Sequence, residues 1–286
     1  MELSKPSEIS ALLERHGFSF SKGLGQNFII NPSVCPKMAE ECGVTERDGV
    51  LEIGTGIGVL TKELALRAKK VAAVELDTRL FPILKETLDG FTNVNVIHGD
   101  VMKVDLKKII ADELSECENV YVCANLPYYI TSPVIMKLLE ENLPVKAVTV
   151  MVQKEAADRL CAEVGSRESG AVTVAVKYYS EPKLLFKVNR SSFMPSPNVD
   201  SAVIRLDVVK REEMDEKTKK VFFAAVKAGF AQRRKTLTNA LSSGGFNKSD
   251  VLEALKTANL PEAVRGEALT MENWQELAFI LAKIRG

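Results

Sequence analysis

The sequence predicts an α/β protein: a Rossmann-like, mostly parallel sheet covered by helices, followed by a small all-helical C-terminal domain. Three observations carry this. Short β-rich apolar runs alternate with helical periodicity from residue 49 to residue 153. A glycine-rich turn directly follows the first of those runs. Past residue 210 the strand signal stops. Strands alternating with helices imply a parallel sheet with both faces covered, and the ligand crevice of such a sheet lies at the carboxyl ends of its strands.

Taken in order, "GVLEIG" (49–54) reads as a strand and "GVLTKELALRA" (58–68) as an amphipathic helix. "KVAAVELD" (70–77) is a strand and "RLFPILKETL" (79–88) a helix. "NVNVIHGD" (93–100) and "VDLKKIIADEL" (104–114) repeat the pair. So do "NVYVCANLP" (119–127) and "SPVIMKLLEEN" (132–142), and "VKAVTVMVQ" (145–153) adds a fifth strand. Within 183–209 two strand-like runs flank a proline-rich loop and resemble an antiparallel closing pair. The charged stretch "KREEMDEKTKK" (210–220) reads as a linker and helix start. "VFFAAVKAGFAQ", "KSDVLEALKTA" and "MENWQELAFILAKI" beyond it carry helical periodicity only. The expected boundaries are therefore 1–209 for the sheet domain with an N-terminal arm, and 210–286 for the helical domain.

Composition narrows the class. Apolar residues make up 46% of 286, enough for a sizeable core. Lys and Arg number 38 and Asp and Glu 38, so the formal net charge is zero. That excludes a chain coating nucleic acid by bulk charge, but not a local basic face. Five cysteines, none in a C-x-x-C pair, with only two histidines, argue against a metal site and for free thiols in a reducing compartment. Neither a signal-type segment nor an eighteen-residue apolar run is present in the sequence, so a cytoplasmic, soluble, membrane-free and monomeric protein is expected.

"LEIGTGIG" places Gly54, Gly56 and Gly58 between a strand and a helix. Glycines there permit a tight turn and close approach of a ligand. The dinucleotide fingerprint has its last glycine where this chain has Val59. The shorter spacing suits a ligand without a pyrophosphate, such as S-adenosyl-L-methionine. The second strand ends in Glu75, whose carboxylate can accept both ribose hydroxyls of an adenosyl group. The third ends in Asp100, placed to accept from an adenine amino group. Three consecutive strand ends with suitable groups point to an adenosyl-binding crevice.

The fourth strand ends in "NLPYY". An amide oxygen from Asn125 and a backbone carbonyl of Leu126 or Pro127 can accept the two hydrogens of an exocyclic amine. Those bonds would favour a more tetrahedral nitrogen, with its lone pair aimed at a methyl donor. Pro127 fixes the turn without a competing N–H. Tyr128 offers a face on which a base can stack, a contact worth roughly 1–3 kcal/mol.

Asn-x-Pro-Tyr after a G-x-G-x-G turn is similar to the adenine N6-methyltransferases. The blocks "GLGQNFIINP" (23–32), "NLPYYITSPVIMKLL" (125–139), "FMPSPNVDSAVIRL" (193–206), "FAQRRKTLTNAL" (230–241) and "RGEALTMENWQELA" (265–278) narrow the match. Together they resemble the ribosomal RNA adenine N6,N6-dimethyltransferase family, in particular its bacterial small-subunit branch, over nearly the whole chain. The resemblance implies dimethylation of two adjacent adenines in a 3′-terminal hairpin loop of small-subunit rRNA, within an immature 30S subunit. It implies S-adenosyl-L-methionine as donor and no metal. Carried over by motif, the donor site would use Asn27, Ile29, Gly54, Gly56, Glu75, Asp100 and Asn125. The target adenine would lie between Tyr128 and Phe193, its amine gripped by Asn125 and the Leu126–Pro127 backbone. Two departures stand out: Ile29 replaces a more usual Leu, and Thr55 replaces a frequent Pro, which is expected to soften the turn.

Arg233, Arg234 and Lys235 form a basic cluster that fits phosphate contacts, a solvated helix face or a salt-bridged domain junction equally well. Lys183, Lys187 and Arg190 add positive charge before the clamp residue Phe193. The basic, aromatic "RHGFSFSKGLGQNF" fits an arm that orders over donor or RNA, or a mobile one. Two rival functions remain: a large-subunit rRNA adenine methyltransferase of the resistance type, and an assembly or transcription factor that kept the fold without activity.

Overall fold

A computed structural model describes Leu3, residues 5–21, Gly23, residues 25–209 and residues 214–284. Its strands are β1 (Phe28–Ile29), β2 (Gly49–Ile53), β3 (Lys70–Glu75), β4 (Val94–His98), β5 (Val120–Asn125), β6 (Ala147–Gln153), β7 (Ser180–Val188), β8 (Phe193–Met194) and β9 (Ser201–Val208). Its α-helices begin with α1 (Pro6–Arg15), α2 (Val34–Glu41), α3 (Val59–Ala65), α4 (Phe81–Thr87), α5 (Leu106–Glu113) and α6 (Thr131–Glu140). They continue with α7 (Lys154–Leu160), α8 (Ala171–Tyr179), α9 (Glu216–Ala231), α10 (Leu237–Ser243), α11 (Lys248–Thr257) and α12 (Met271–Ile284).

Seven strands form one sheet in the order β4-β3-β2-β5-β6-β9-β7. The predicted strands β2 to β6 pair in parallel, β9 closes on β6 antiparallel, and β7 lies beside β9, so the two runs of 183–209 are neighbours at one edge of the sheet. β2 is buried at all five positions, the mark of a central parallel strand covered on both faces. β2 lies between β3 and β5, so the connections leave to opposite sides here and open a crevice at the carboxyl ends. A small second sheet pairs β1 with β8, setting Ile29 opposite Phe193.

The chain divides into two compact units: residues 1–157 with 181–208, and residues 158–180 with 209–286. The sequence reading placed one boundary at 209 and left 158–180 with the sheet domain. Burial explains the difference. Val174 and Tyr178 of α8 belong to the core formed by Phe222, Leu241, Leu255 and Trp274. In that unit α9 starts at Asp215, whose side chain accepts from the Lys217 and Thr218 N–H groups, a standard N-cap. The rest of the expected linker, 210–213, lies outside the described residues. Among the described residues no helix is long and apolar enough to cross a membrane, and no group of three or more His, Cys, Asp or Glu could hold a metal ion.

Candidate active site

A cavity of about 290 Å³ opens at the crevice. Asn27, Ile29, Gly54, Gly56, Glu75, Asp100, Asn125, Leu126, Pro127, Tyr128 and Phe193 all line it. Two groups of residues read separately from the sequence, one for a donor and one for a base, thus share a single cavity.

The glycine turn needs its glycines. Gly54 and Gly56 have φ of +75° and +55°, a region L side chains rarely adopt. A Cβ built on Gly54 would meet no described atom within 4 Å, so the backbone there is open to a ligand. Thr55 does not soften the turn. Its N–H and its hydroxyl both donate to Glu75 Oε2, at 2.9 and 3.0 Å, and the residue is buried. A proline could make neither bond. Glu75 Oε1 accepts from the Asp77 N–H at 2.8 Å. The Glu75 carboxylate is therefore fixed by three donors, two on Oε2 and one on Oε1, which leaves one acceptor site, on Oε1, for a ligand.

Asp77 extends this frame to the arm. Its carboxylate accepts from Gln26 Nε2 at 2.8 Å and from Arg79 Nε and Nη2 at 2.9 and 2.6 Å. The Arg79 hydrogen bond first, and that from Gln26 after it, hold the Asp77 carboxyl below its usual range. Arg79 also donates to the Ser19 carbonyl and lies over the Phe18 ring. The segment carrying Asn27 is thereby tied to the end of β3. Within this expected arm Lys22 and Leu24 lie outside the described residues. At the end of β4, Asp100 Oδ1 accepts from the Met102 N–H at 2.9 Å, and Oδ2 lies 3.6 Å from Lys103 Nζ.

At the end of β5, Asn125 Nδ2 points at the Asn27 carbonyl at 3.5 Å, the outer limit of a hydrogen bond. No described residue donates to its Oδ1. The turn after it distinguishes the two carbonyls left open by the sequence. Pro127 O accepts from Ile130 N at 3.2 Å and from Thr131 Oγ1 at 3.3 Å. No described residue donates to Leu126 O. Tyr128 is half-buried on the following 3₁₀ turn, and Phe193 is 3% exposed.

The basic residues differ among themselves. Arg233 Nη2 is 3.1 Å from Glu267 Oε2 and donates to the Arg167 carbonyl. Both partners lie in its own unit, so the ion pair is not a junction contact. Lys183 pairs with Asp207 at 2.9 Å, and Arg190 Nη1 donates to the Asn198 carbonyl at 3.4 Å. Lys187, Arg234 and Lys235 are exposed, with no ion pair among the described residues.

Residues 17–283 match the model of the family described as ribosomal RNA adenine dimethylase. The chain belongs to that family. It is 47% identical to a protein named ribosomal RNA small subunit methyltransferase A from Bacillus licheniformis, over 99% of this chain and 98% of that one. Among solved structures, a dimethyladenosine transferase from Plasmodium falciparum superposes with a TM-score of 0.74 at 27% identity, covering 87% of this chain and 95% of that one. The 23S rRNA methyltransferase ErmE gives a TM-score of 0.67 at 26% identity, covering 89% and 99%. Sequence reasoning missed Gln26, which lines the cavity and donates to Asp77, and it missed Asp77 and Ser201, which hold Glu75 and Tyr128. Polar residues flanking each motif were the available signal.

Proposed function

We propose that this ribosomal RNA adenine dimethylase transfers methyl groups from S-adenosyl-L-methionine to N6 of two adjacent adenines in the 3′-terminal hairpin loop of small-subunit rRNA, acting on an immature 30S subunit as a monomer. The carrying observation is the single cavity that joins the glycine turn, Glu75 and Asp100 to the Asn125–Tyr128 clamp. The residues present fit the donor: an open glycine turn, a carboxylate at the end of β3 for a ribose diol, and another at the end of β4 for an adenine amine. When bound, the donor supplies an electrophilic methyl group on a sulfonium.

The chain's own residues do the rest. Asn125 Oδ1 and Leu126 O accept the two N6 hydrogens; Pro127 O, already engaged twice, is left to hold the turn. Those bonds weaken conjugation of the N6 lone pair with the ring and aim it at the methyl group. Tyr128 and Phe193 hold the base between them. The methylated N6 carries a positive charge on an aromatic ring, is strongly acidic and sheds its proton to water, so no side-chain base is needed. Lys187, Arg234 and Lys235 are the exposed cations left for RNA phosphates; Lys183, Arg190 and Arg233 reach them only by giving up or sharing a present partner.

The ErmE resemblance keeps a large-subunit substrate as the second reading. Labelled donor offered to unmethylated small subunits and, separately, to large subunits decides it by mapping the modified nucleotides. Dimethyladenosine at two adjacent small-subunit positions supports the proposal; label confined to large-subunit rRNA overturns it.

Glu75→Ala is expected to weaken donor binding about ten- to a hundredfold, the worth of roughly 1.5–3 kcal/mol for hydrogen bonds to a charged group. Part of that loss comes from releasing the glycine turn, which Thr55→Val, removing one of the three bonds, reproduces weakly. Calorimetry on the folded variant checks it, and wild-type affinity would remove Glu75 from the site.

Reversing Arg233, Arg234 and Lys235 to Glu is expected to weaken association with the small subunit without changing donor affinity. Loss of the two exposed cations should flatten the log–log salt dependence by about two units, one per phosphate contact. Breaking the partly exposed Arg233–Glu267 pair costs up to about 1 kcal/mol, a small drop in melting temperature. An unchanged salt slope would leave the cluster a solvated face.

A further inference from the structure

The clamp residue Tyr128 carries one polar atom that the proposed chemistry does not use, its phenolic hydroxyl. That hydroxyl shares a hydrogen bond of 2.8 Å with Ser201 Oγ, seventy-three residues further along the chain. Ser201 is fully buried. It opens β9, where it pairs with Gln153, the last residue of β6. β6 in turn pairs with β5, setting Met151 opposite Asn125. Beside it the Lys154 N–H donates to the Asp200 carbonyl at 3.0 Å and closes the end of the β6–β9 ladder. The Ser201 backbone is therefore fixed by the sheet itself, two ladder positions beyond the level of Asn125.

We propose that Ser201 is a positioning residue for the reaction: it tethers the far end of the Tyr128 ring, so that the ring stays in one place beside the target adenine instead of swinging about χ1. This rests on the reading of Asn125–Tyr128 as a base clamp. A phenylalanine at position 128 would stack equally well but would be held only at its Cβ, free to swing about χ1 into the cavity or away from it. With the hydroxyl pinned, the Cβ–Cζ axis of the ring is held at both ends and the swing about χ1 is stopped; rotation about that axis is not restricted by the tether. The turn below is held as well, by the Ile130 N–H and the Thr131 hydroxyl on Pro127 O. Burial pushes the Tyr128 phenol up, so it stays neutral and able both to donate and to accept. Tyr129 gives the contrast within the same turn: it is 58% exposed, and its hydroxyl has no partner among the described residues. One ring is anchored at both ends and its neighbour is not. A base misaligned by a small angle turns its N6 lone pair away from the methyl group, and methyl transfer is sensitive to such errors in approach. Binding of the subunit, set by many contacts elsewhere, is not.

The test is a double-mutant cycle on Tyr128→Phe and Ser201→Ala, read by single-turnover methylation of unmethylated small subunits at saturating donor. Tyr128→Phe is the gentler variant, since it keeps the ring and removes one oxygen. Each single variant is expected to slow methyl transfer about tenfold, with subunit affinity, donor affinity and melting temperature near wild type. The double variant is expected to be no slower than the slower single one, because both remove the same tether. A Tyr128→Phe protein at the wild-type rate overturns the proposal. So do multiplying losses in the double variant, or a loss of donor affinity or melting temperature that accounts for the slower rate. Wild-type protein that methylates no adenine N6 on the small subunit would instead overturn the clamp reading itself.

Discussion

Asn125→Ala is expected to slow the methyl-transfer step about 10²- to 10³-fold, the usual consequence of removing one preorganised polar partner of a developing charge. The amide is the last residue of β5, and among the described residues its Oδ1 has no donor, while its Nδ2 faces the Asn27 carbonyl. The free oxygen is thus the acceptor left for the reacting amine. Its bond strengthens as positive charge grows on N6, so its loss raises the barrier more than it weakens ground-state binding. The variant must be assayed in single turnover with donor saturated, because Asn125 borders the segment carrying Asn27 and its loss also loosens donor binding. Asn125→Asp separates geometry from charge: it keeps an acceptor oxygen but places an anion beside the cavity. An Asn125→Ala protein with an unchanged chemical step would remove the amide from the reaction, and with it the reading of "NLPYY" as a base clamp.

Strands β2 to β6 and the cavity at their ends were legible because both signals are local. A parallel strand buried on both faces is largely apolar, and a turn with positive φ favours glycine. The residues that hold the site are a different matter. Ser201 lies seventy-three positions from Tyr128, and Gln26 lies fifty-one from Asp77, and nothing in either stretch alone indicates the other. Thr55 was misjudged for a related reason. As a substitute for proline it suggested a looser turn, but the N–H that proline lacks is the group that binds Glu75. The segment 158–180 shows the same limit at the scale of a domain. Its helix α8 is apolar in a way that fits either unit, and only the partners of Val174 and Tyr178 decide which core takes it. The environment of the basic cluster was the least legible of all. Arg233 and Arg234 are neighbours with identical chemistry, and only the positions of Glu267 and Arg167 distinguish them.

Glu52→Gln is expected to stabilise the protein increasingly as pH rises, an effect second only to that of Asn125 on activity. Glu52 lies in the middle of β2, fully buried, and neither carboxylate oxygen has a hydrogen-bond partner. Thr61 on α3 is its polar neighbour, but the hydroxyl lies outside hydrogen-bond geometry and relieves little. Burial, with the nearby Glu75 carboxylate adding repulsion, pushes the Glu52 carboxyl from 4.5 up to about 8. The thiols of Cys35 and Cys123, also buried and within electrostatic reach of Glu52, are themselves pushed up, so they stay neutral and neither repel nor neutralise a charge on it. The sign follows from proton counting. Between about 4.5 and 8 the unfolded chain has released this proton while the folded chain keeps it, so stability falls with rising pH by up to about 1.4 kcal/mol per unit. Above about 8 both states are ionised and the slope vanishes; below 4.5 both are protonated and the cost is absent. Glutamine has the same shape and no proton to lose. The difference in unfolding free energy between Glu52→Gln and wild type, measured by denaturant titration at several pH values, should therefore be small at pH 4.5 and grow steadily to pH 8. Two pH profiles that run parallel across that window would mean that Glu52 is ionised in the fold, with a partner not yet identified.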